Sequence, residues 1–296
     1  LIGSADQPGD PAQPSMASLP ADSPLLSVKS GRVKAARRLA RRVSRAETRL
    51  FLAEGPQAVR EALELSGCVA EVFAVPGASD AHPDIHSSAT AQDIAWHLVD
   101  EAALASLAET IHPQGLVAVC RFLDRPLSDV LPAAPGTDAA LVAVCADVRD
   151  PGNAGTVIRC ADAAGATAVV LTGSSVDPYN GKAVRASAGS LFHVGLSVDH
   201  DTAAVLAELQ SRGFQVLAAD GAGETDLDDA LDAGLLSRPT AWLFGNEAWG
   251  LPAELAALAD RRVRIPIHGR AESLNLATAA AVCLYSSARA QRRAAR

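Results

Sequence analysis

Two polar turns in the last third of the chain carry residue types that bind and orient ligands. The apolar run 241–244 ends in the turn GNEAWG at residues 245–250, and the apolar run 263–267 ends in a turn that leads into an alanine-rich segment. In α/β proteins, ligands bind in the crevice at the carboxyl ends of the strands. Glycine lets the backbone approach a ligand, and backbone N–H and C=O groups then read its edges. The two turns therefore predict the walls of one pocket for a nucleotide-like ligand.

A third stretch, DVRDPGNAGTVIRCADAAG at residues 147–165, adds an asparagine and an arginine. Asn153 follows a Pro-Gly turn, where it can act simply as a helix N-cap worth about 1 kcal/mol. Arg159 has apolar neighbours, and an arginine in such surroundings is expected to have a charged partner, such as Asp162 or Glu247. From the residues alone, capping and a structural ion pair stay open as alternatives to catalysis.

Together, the three stretches resemble the SpoU/TrmH branch of the SPOUT RNA methyltransferases. The resemblance rests on Asn153 with Arg159 six residues later, on GNE and GL in the segment 245–251, and on IP at 265–266 followed by SLN at 273–275. The spacings between the second and third motifs also fit that family. The similarity is close from residue 139 to the end and looser over residues 28–121.

The resemblance implies an α/β fold class, with a C-terminal α/β trefoil-knot (SPOUT) domain built on a mainly parallel sheet. A small α/β domain similar to ribosomal-protein-like RNA-binding domains is expected before it. The composition of residues 1–24, rich in Pro, Ala, Ser, Asp and Gly, predicts a disordered leader. We then expect an RNA substrate-binding domain at 25–122, a linker rich in Pro and Gly at 123–138, and a catalytic and dimerisation domain at 139–296.

The resemblance also implies S-adenosylmethionine-dependent methylation of a ribose 2′-hydroxyl in RNA, by a homodimer that builds its site at the interface of the C-terminal domains without a metal. The catalytic residues that it assigns are Arg159, Asn153, Glu247, Ser273 and Asn275. The cofactor-binding residues that it assigns are Leu217, Ala219, Gly245, Asn246, Gly250, Ile265 and Leu274. Because the two-domain layout resembles the rRNA enzymes and the thiostrepton-resistance type, 23S rRNA is the favoured substrate. A tRNA substrate and a non-catalytic role in RNA binding or ribosome assembly are the alternatives.

In such a reaction the 2′-hydroxyl attacks the methyl carbon of S-adenosylmethionine in line. The sulfonium already activates the methyl group, so the protein mainly positions the reactants. The matching arginine of such enzymes is often described as a general base, but a guanidinium group stays protonated near neutral pH. We therefore expect Arg159 to bind the 3′ phosphate and to stabilise the charge that develops on the attacking oxygen.

Although the net charge of the chain is −8, a segment near the N-terminus is strongly basic. Residues 28–50 contain nine Lys and Arg against a single acidic residue, a pattern that favours contact with the phosphates of a nucleic acid. The residues expected to contact RNA are Arg32, Lys34 and Arg37 in this segment and, from the resemblance of residues 177–190 to their family counterpart, Lys182 and Arg185.

Other classes of protein are disfavoured by the motifs that the chain lacks. None of the five cysteines forms a C-x-x-C pair, so neither a zinc site nor a disulfide framework is expected. Free thiols suit a reducing cytoplasm, and no apolar run reaches the ~18 residues that a membrane helix needs. The first strand expected in the C-terminal domain is not followed by G-x-G-x-x-G, which argues against a Rossmann-type enzyme.

Apolar periodicity and turn residues predict alternating strands and helices in both domains. In the N-terminal domain we expect helices at 28–46, 56–64 and 101–109, strands at 51–54, 69–75, 94–99 and 116–122, and a loop at 76–91. In the C-terminal domain we expect strands at 139–147, 167–172, 191–198, 214–219, 241–244 and 263–267, and helices at 153–165, 201–212 and 274–293. His193 is expected in a strand and Trp242 in the core, whereas the place of Trp249 stays open.

Overall fold

The computed structural model of the chain describes residues 25–131 and 140–295. The predicted leader at 1–24 and residues 132–138 of the predicted linker lie outside these ranges. The described residues form two sheets, one of four strands and one of seven. Each sheet is the centre of one α/β domain, so the predicted fold class is confirmed.

The N-terminal domain is a four-stranded sheet with helices on both faces. Its elements are α1 (Gly31–Arg38), α2 (Arg42–Thr48), β1 (Leu50–Glu54), α3 (Pro56–Glu64), β2 (Val69–Ala74), α4 (Ala78–Ala81), α5 (Pro83–Ala91), β3 (Ala95–Leu98), α6 (Glu101–Leu107) and β4 (Leu116–Arg121). The strand order is β1-β4-β2-β3, with β4 antiparallel to both neighbours and β3 parallel to β2. Because successive side chains of a strand point to opposite faces, Val72 packs with α3 and α5 while Phe73 packs with α1 and α6.

Two predictions for this domain are wrong. The single helix expected at 28–46 is interrupted between α1 and α2, because the Arg45 guanidinium binds the carbonyl oxygens of Leu39 and Ala40 that a continuous helix would use internally. The loop expected at 76–91 contains α4 and α5. Pro83 occupies the first turn of α5, where proline is tolerated, and Ile85 and Ala89 are buried on one face of that helix.

The C-terminal domain is built on a seven-stranded sheet. Its elements are α7 (Leu127–Val130), β5 (Leu141–Ala146), α8 (Pro151–Ala164), β6 (Ala168–Thr172), α9 (Gly181–Ser187), β7 (Gly195–Asp199), α10 (Thr202–Ser211), β8 (Gln215–Ala219), β9 (Thr225–Asp226), α11 (Leu227–Asp232), β10 (Thr240–Phe244), α12 (Ala253–Ala256), β11 (Arg261–Arg264) and α13 (Leu276–Ala294). The strand order is β7-β6-β5-β10-β8-β11-β9, and every pairing is parallel. The inner strands β5, β6 and β10 are buried along their whole length, as parallel strands covered on both faces must be.

Several boundaries in this domain differ from prediction. The strand expected at 191–198 begins at Gly195, because Ser190–Phe192 forms a 3-10 turn. The strand expected at 263–267 ends at Arg264, and the last helix begins at Leu276 because Asn275 is its N-cap. The short elements β9 and α11 were not predicted.

The helix α7 lies inside the predicted linker. Leu127 and Val130 of α7 are buried in the core cluster that covers one face of the large sheet. The first part of the predicted linker therefore packs with the C-terminal domain. The domain boundaries themselves stay a prediction.

The parallel sheet brings the ends of its central strands to one edge. Because β10 lies between β5 and β8, and β11 is the next strand along, the segments after these four strands are neighbours. The helix α8 follows β5 and packs closely against α9, since a Cβ atom on Gly155 would lie 2.3 Å from the carbonyl oxygen of Ala183. Trp242 is fully buried, as predicted, and donates a hydrogen bond from Nε1 to Ser287 Oγ at 2.9 Å.

Ion pairs cross the boundary between the two domains. Arg45 binds Asp177, Arg185 lies near Glu54, and His193 lies between Glu61 of α3 and Asp162 of α8. His193 is therefore a contact between domains rather than a strand residue, which corrects the prediction.

Within the described residues, no helix combines the length and apolar character needed to cross a membrane.

Candidate active site

Three side chains from separate parts of the chain meet where the strands of the large sheet end. The Asn153 Nδ2 donates to Glu247 Oε1 at 3.1 Å, and the Asn275 Nδ2 donates to Asn153 Oδ1 at 3.0 Å. Asn153 lies in the first turn of α8 after β5, Glu247 lies in the turn after β10, and Asn275 begins α13. The structure thus brings together three residues that the sequence assigned to one site.

Glu247 is held by the backbone as well as by Asn153. Its Oε2 accepts from the backbone N–H of Arg149 and its Oε1 from that of Asp150, both at 3.1 Å. Burial by itself would raise the pKa of Glu247. The hydrogen bonds from Asn153 and from the backbone outweigh it and hold the pKa below its usual value. Glu247 is therefore an oriented carboxylate near neutral pH.

Asp150, rather than Asn153, is the N-cap of α8, which excludes the capping role that the sequence left open for Asn153. Its Oδ1 accepts from the Asn153 backbone N–H at 2.8 Å, and its Oδ2 accepts from Lys182 Nζ at 2.7 Å. The hydrogen bond from Lys182 is the main cause of the lowered pKa of Asp150. An aspartate directly before Pro151 was the sequence signal for this cap. Because the backbone of Asn153 makes the cap contact, its side-chain amide is left to join Glu247 and Asn275.

The turn at residues 245–250 is rigidly closed. Asn246 is 6% exposed, and its Nδ2 donates to the carbonyl oxygen of Asp147 at 2.7 Å. The backbones of Asn246 and Gly250 exchange two hydrogen bonds of 3.0 and 2.9 Å. A Cβ atom on Gly245 would lie 2.4 Å from the carbonyl carbon of Gly250, so glycine is required there. Trp249, whose place the sequence left open, is 59% exposed on this turn.

The segment from Ile265 to Leu274 forms a neighbouring wall with unused hydrogen-bonding groups. In the described parts of the chain, residues 266–274 make no hydrogen bond through their backbone or side chains. Ile265 is half-buried, whereas Ser273 and Leu274 are exposed. Such a segment offers free N–H and C=O groups to a ligand.

The two remaining predicted cofactor residues lie on β8. Ala219 ends this strand and is half-buried. Leu217 is fully buried and pairs with both β10 and β11. Its backbone is therefore used by the sheet, and its role in cofactor binding stays a prediction.

Arg159 does not join the cluster, contrary to the expectation of a charged partner. It is exposed, and within the described residues it forms no ion pair or hydrogen bond with Asp162, Glu247 or any other group. A separation of six residues turns the helix by about 240° and advances it by about 9 Å relative to Asn153. The side chain of Arg159 therefore leaves α8 on a different side of the helix from that of Asn153.

The residues expected to contact RNA fall into two groups. Lys34 and Arg37 are exposed without an ion-pair partner among the described residues, and Arg32 is exposed but paired with Glu71 at 3.1 Å. Lys182 is bound to Asp150, and Arg185 is bound to Glu109 at 3.0 Å at the domain boundary. The three arginines Arg38, Arg41 and Arg42, which the sequence singled out only as part of a basic run, are exposed beside Arg37.

The described chain holds its potential metal ligands apart and its cysteines as free thiols. Over residues 25–131 and 140–295, no group of three His, Cys, Asp or Glu side chains is placed to hold a metal ion. All five cysteines are free, and burial raises the pKa of the Cys145 thiol to about 12. The site described above is built from amide, carboxylate and backbone groups.

Comparison with known proteins gives matches over both domains. Residues 140–285 match the SpoU rRNA Methylase family, and residues 31–118 match the MRM3-like substrate binding domain. The chain is 34% identical over 262 residues to the 23S rRNA (guanosine(2553)-2′-O)-methyltransferase RlmP of Bacillus subtilis, covering 88% of this chain and 96% of that protein. It is 30% identical over 208 residues to the 23S rRNA (guanosine-2′-O-)-methyltransferase RlmB of Nitrosomonas europaea, covering 70% of this chain and 78% of that protein.

Solved structures match the fold of this chain over about nine-tenths of its length. The AdoMet-bound rRNA methyltransferase from Sinorhizobium meliloti has a TM-score of 0.77 and 34% identity, covering 90% of this chain and 98% of that one. The SpoU methyltransferase AviRb from Streptomyces viridochromogenes has a TM-score of 0.77 and 25% identity, covering 89% and 98%. The similarity thus extends over nearly the whole length of these relatives.

Proposed function

This chain belongs to the SpoU rRNA methylase family, and on that premise we propose that it transfers the methyl group of S-adenosylmethionine to a ribose 2′-hydroxyl of 23S ribosomal RNA. The relatives named above are 23S rRNA 2′-O-methyltransferases. The observation that carries the proposal is the hydrogen-bonded cluster of Asn153, Glu247 and Asn275. It lies at the edge of the sheet where α/β proteins bind their ligands.

S-adenosylmethionine is the cofactor of this family, and the residues of the site suit it. The unused backbone groups of 266–274 match the need to read the edges of an adenosine, and Gly245 keeps the adjacent turn compact. We assign its binding to Ala219, Gly245, Asn246, Gly250, Ile265 and Leu274, with Leu217 as support behind them. When bound, S-adenosylmethionine supplies a methyl group activated by its sulfonium.

The side chains of the cluster have separate roles in the proposed reaction. Glu247 and Asn153 orient the target ribose, and Ser273 and Asn275 define the entrance to the pocket at the start of α13. Arg159 binds the 3′ phosphate and stabilises the negative charge that develops on the 2′ oxygen as its proton leaves to solvent. With these roles, the guanidinium of Arg159 stays protonated throughout the reaction.

We propose that the protein acts as a homodimer in which Arg159 completes the cluster of the partner subunit. Two observations support this. Arg159 is exposed and without a partner within the described residues, on a side of α8 away from Asn153. The helix α13, which packs on α8, leaves Val282 and Tyr285 36% and 52% exposed. Apolar side chains at such positions favour burial against a second copy.

The RNA surface that we propose is the turn between α1 and α2. Arg37, Arg38, Arg41 and Arg42 are exposed there without an ion-pair partner among the described residues. Lys34 and Arg32 extend this surface along α1. Lys182 and Arg185 contribute less, because acidic residues already neutralise them.

The free cysteines suit a reducing cytoplasm, the location that we propose for the protein.

The test of this function is the chemical position of the methyl group. A 2′-O-methyl blocks alkaline cleavage of the phosphodiester that follows it. We therefore expect one alkali-resistant dinucleotide in unmodified 23S rRNA after incubation with the protein and S-adenosylmethionine. Methyl groups on bases, with complete alkaline cleavage of the backbone, would refute the proposal. Alkali resistance that appears only in tRNA would show that tRNA, the alternative substrate, is the one that is methylated.

A further inference from the structure

An arginine is buried at the boundary between the two domains. Arg45 of α2 is 3% exposed. Its Nε and Nη2 donate to Asp177 Oδ2 at 2.9 and 2.7 Å, and its Nη1 donates to the carbonyl oxygens of Leu39 and Ala40 at 2.8 and 2.9 Å. A buried charge is tolerated only with partners in good geometry, and here one guanidinium joins the end of α1, the helix α2 and the C-terminal domain.

The part of the N-terminal domain that Arg45 fixes is the proposed RNA surface. The carbonyl groups that it binds belong to the turn between α1 and α2. Arg37, Arg38, Arg41 and Arg42 flank this turn, and we call these four residues the basic corner. Removal of the Arg45 contacts would therefore loosen the turn that carries the basic corner while leaving its charges in place.

On the other side of the boundary, Asp177 is joined to the segment that holds Glu247. The Val176 N–H donates to the carbonyl oxygen of Val148 at 2.8 Å, and the Val148 N–H donates to Ser175 Oγ at 3.0 Å. Val148 directly precedes Arg149 and Asp150, whose N–H groups bind the Glu247 carboxylate. Hydrogen bonds and short covalent links thus connect the basic corner to the catalytic cluster.

The surroundings of this connection leave little room for movement. Tyr179 donates from its backbone to Asp177 Oδ1 at 2.9 Å and stacks on Phe122 with ring centroids 3.8 Å apart. Its hydroxyl accepts from the N–H groups of Leu123 and Asp124, both at 2.7 Å. A cavity lined by Arg45 and Tyr179 has a volume of about 20 Å³, which is room for a single water molecule.

We propose that the Arg45–Asp177 ion pair is a positioning contact that fixes the basic corner relative to Glu247, so that RNA held by the corner presents its target ribose to the cluster. The proposal rests on the proposed function. Misplacement of a reactant by about 1 Å can lower a rate by about a hundredfold. The expected role is therefore in the rate of methyl transfer and not in the affinity for RNA.

The test compares Arg45→Lys, Asp177→Asn and the double variant with the wild-type protein. A lysine keeps the charge but cannot reproduce the fork of four hydrogen bonds. At saturating RNA we expect the single-turnover methylation rate to fall about tenfold or more in each variant, and the double variant to be no slower than the worse single one. The Kd values for RNA and S-adenosylmethionine should stay within about twofold. The matched control is Arg60→Lys, because Arg60 binds Asp84 at 2.6 Å on the surface of the N-terminal domain alone.

Hydrogen exchange gives a second readout that needs no activity. We expect the amides of Val148 and Val176 to exchange faster in Arg45→Lys and Asp177→Asn than in the wild type or in Arg60→Lys. If wild-type protein transfers no methyl group, the proposed function fails, and the exchange rates alone decide whether the contact couples the two segments. Unchanged methylation and exchange in both single variants would overturn the inference. So would a loss confined to RNA affinity, because that would make the pair a binding contact.

Discussion

Glu247 owes its orientation to three donors from one short segment. The backbone N–H groups of Arg149 and Asp150 and the side-chain amide of Asn153 all bind its carboxylate at 3.1 Å. These donors are fixed in a helix N-terminus and in the turn before it. They therefore do not have to rearrange when a substrate binds. At this scale, the proposed catalytic cluster is centred on a carboxylate that two backbone N–H groups and one side-chain amide hold in one position.

We predict that Glu247→Gln slows methyl transfer about tenfold or more and lowers the free energy of unfolding by about 1 kcal/mol. A glutamine has one carbonyl oxygen, so the N–H of either Arg149 or Asp150 faces an NH₂ group instead of an acceptor. The measurements are single-turnover methylation and urea unfolding, with the exposed Glu254→Gln as control. Wild-type values for both quantities would show that the carboxylate is not held as described.

The role of Arg159 is tested by exchanging it for lysine. If the residue acts through charge and a forked contact with phosphate, Arg159→Lys should be slower than wild type by a similar factor at every pH. If it acted as a base, lysine, which loses its proton near pH ~10.4, should match or exceed the wild-type rate at high pH. Single-turnover rates between pH 7 and 10 distinguish the two. A ratio that inverts with rising pH would contradict our account.

The sequence identified Asn153, Glu247 and Asn275 as members of one site because their motifs resemble a known set. It could not show how they are arranged. Capping of α8 by Asn153 was an alternative that the residues left open, but Asp150 takes that place, since both residues are good caps and only the fold selects between them. The sequence also could not show that Arg159 has no charged partner among the described residues. Its neighbours in the sequence are apolar, but they lie on other sides of α8.

At the scale of elements, α8 connects the catalytic cluster to the domain boundary. Its first turn carries Asn153, and its later part carries Asp162, which lies 3.0 Å from His193 Nδ1. His193 Nε2 lies 3.0 Å from Glu61 of α3. Both ring nitrogens face carboxylates, and only a protonated imidazole can donate to both. This contact joins α8 to the N-terminal domain.

This arrangement predicts a pH-dependent contribution to stability. The hydrogen bond to Asp162, then that to Glu61, raises the pKa of His193 above 6.5 despite partial burial. The contribution is therefore complete below pH 6.5 and is lost as the pH rises through the folded-state pKa. Relative to His193→Gln, we expect the wild type to be more stable by about 0.5 kcal/mol at pH 6. That advantage should vanish at pH 9.

Urea unfolding of both proteins at the two pH values is the measurement. The comparison with His193→Gln removes the titration of all other groups, because they are common to both proteins. A difference in unfolding midpoint that is the same at pH 6 and pH 9 would show that His193 is not protonated between the two carboxylates.

Most elements were predictable from periodicity, and those that were not depend on distant contacts. The break between α1 and α2 follows from Arg45, whose partner Asp177 is 132 positions away. The helices α4 and α5 replace an expected loop because Ile85 and Ala89 pack on the small sheet. In both cases tertiary packing overrides the local pattern, and the sequence window around each element does not contain the cause.

At the scale of the whole molecule, we propose that the reaction depends on both domains and on two subunits. In this proposal the basic corner binds RNA, the large sheet provides the edge where the cofactor and the cluster meet, and the partner supplies Arg159. A closed twofold arrangement places the same surface of each copy in the interface. Each dimer then contains two composite sites.

Subunit mixing tests this arrangement. Arg159→Ala and Asn275→Ala should each be inactive as homodimers, but their heterodimer contains one composite site with all residues intact. A statistical mixture should therefore recover about a quarter of the wild-type activity. The heterodimer can be purified with two different tags and assayed on 23S rRNA. Activity no higher than that of the parents would show that each site is built from a single chain.

The most direct test of the central claim is transfer of tritium from labelled S-adenosylmethionine to RNA. Separate unmodified pools of 23S rRNA, 16S rRNA and tRNA would be incubated with the wild type and with Arg159→Ala. We predict label in 23S rRNA with wild type, none in the other pools, and no label with Arg159→Ala despite unchanged binding of S-adenosylmethionine. Label in tRNA alone, or equal labelling by Arg159→Ala, would contradict the account.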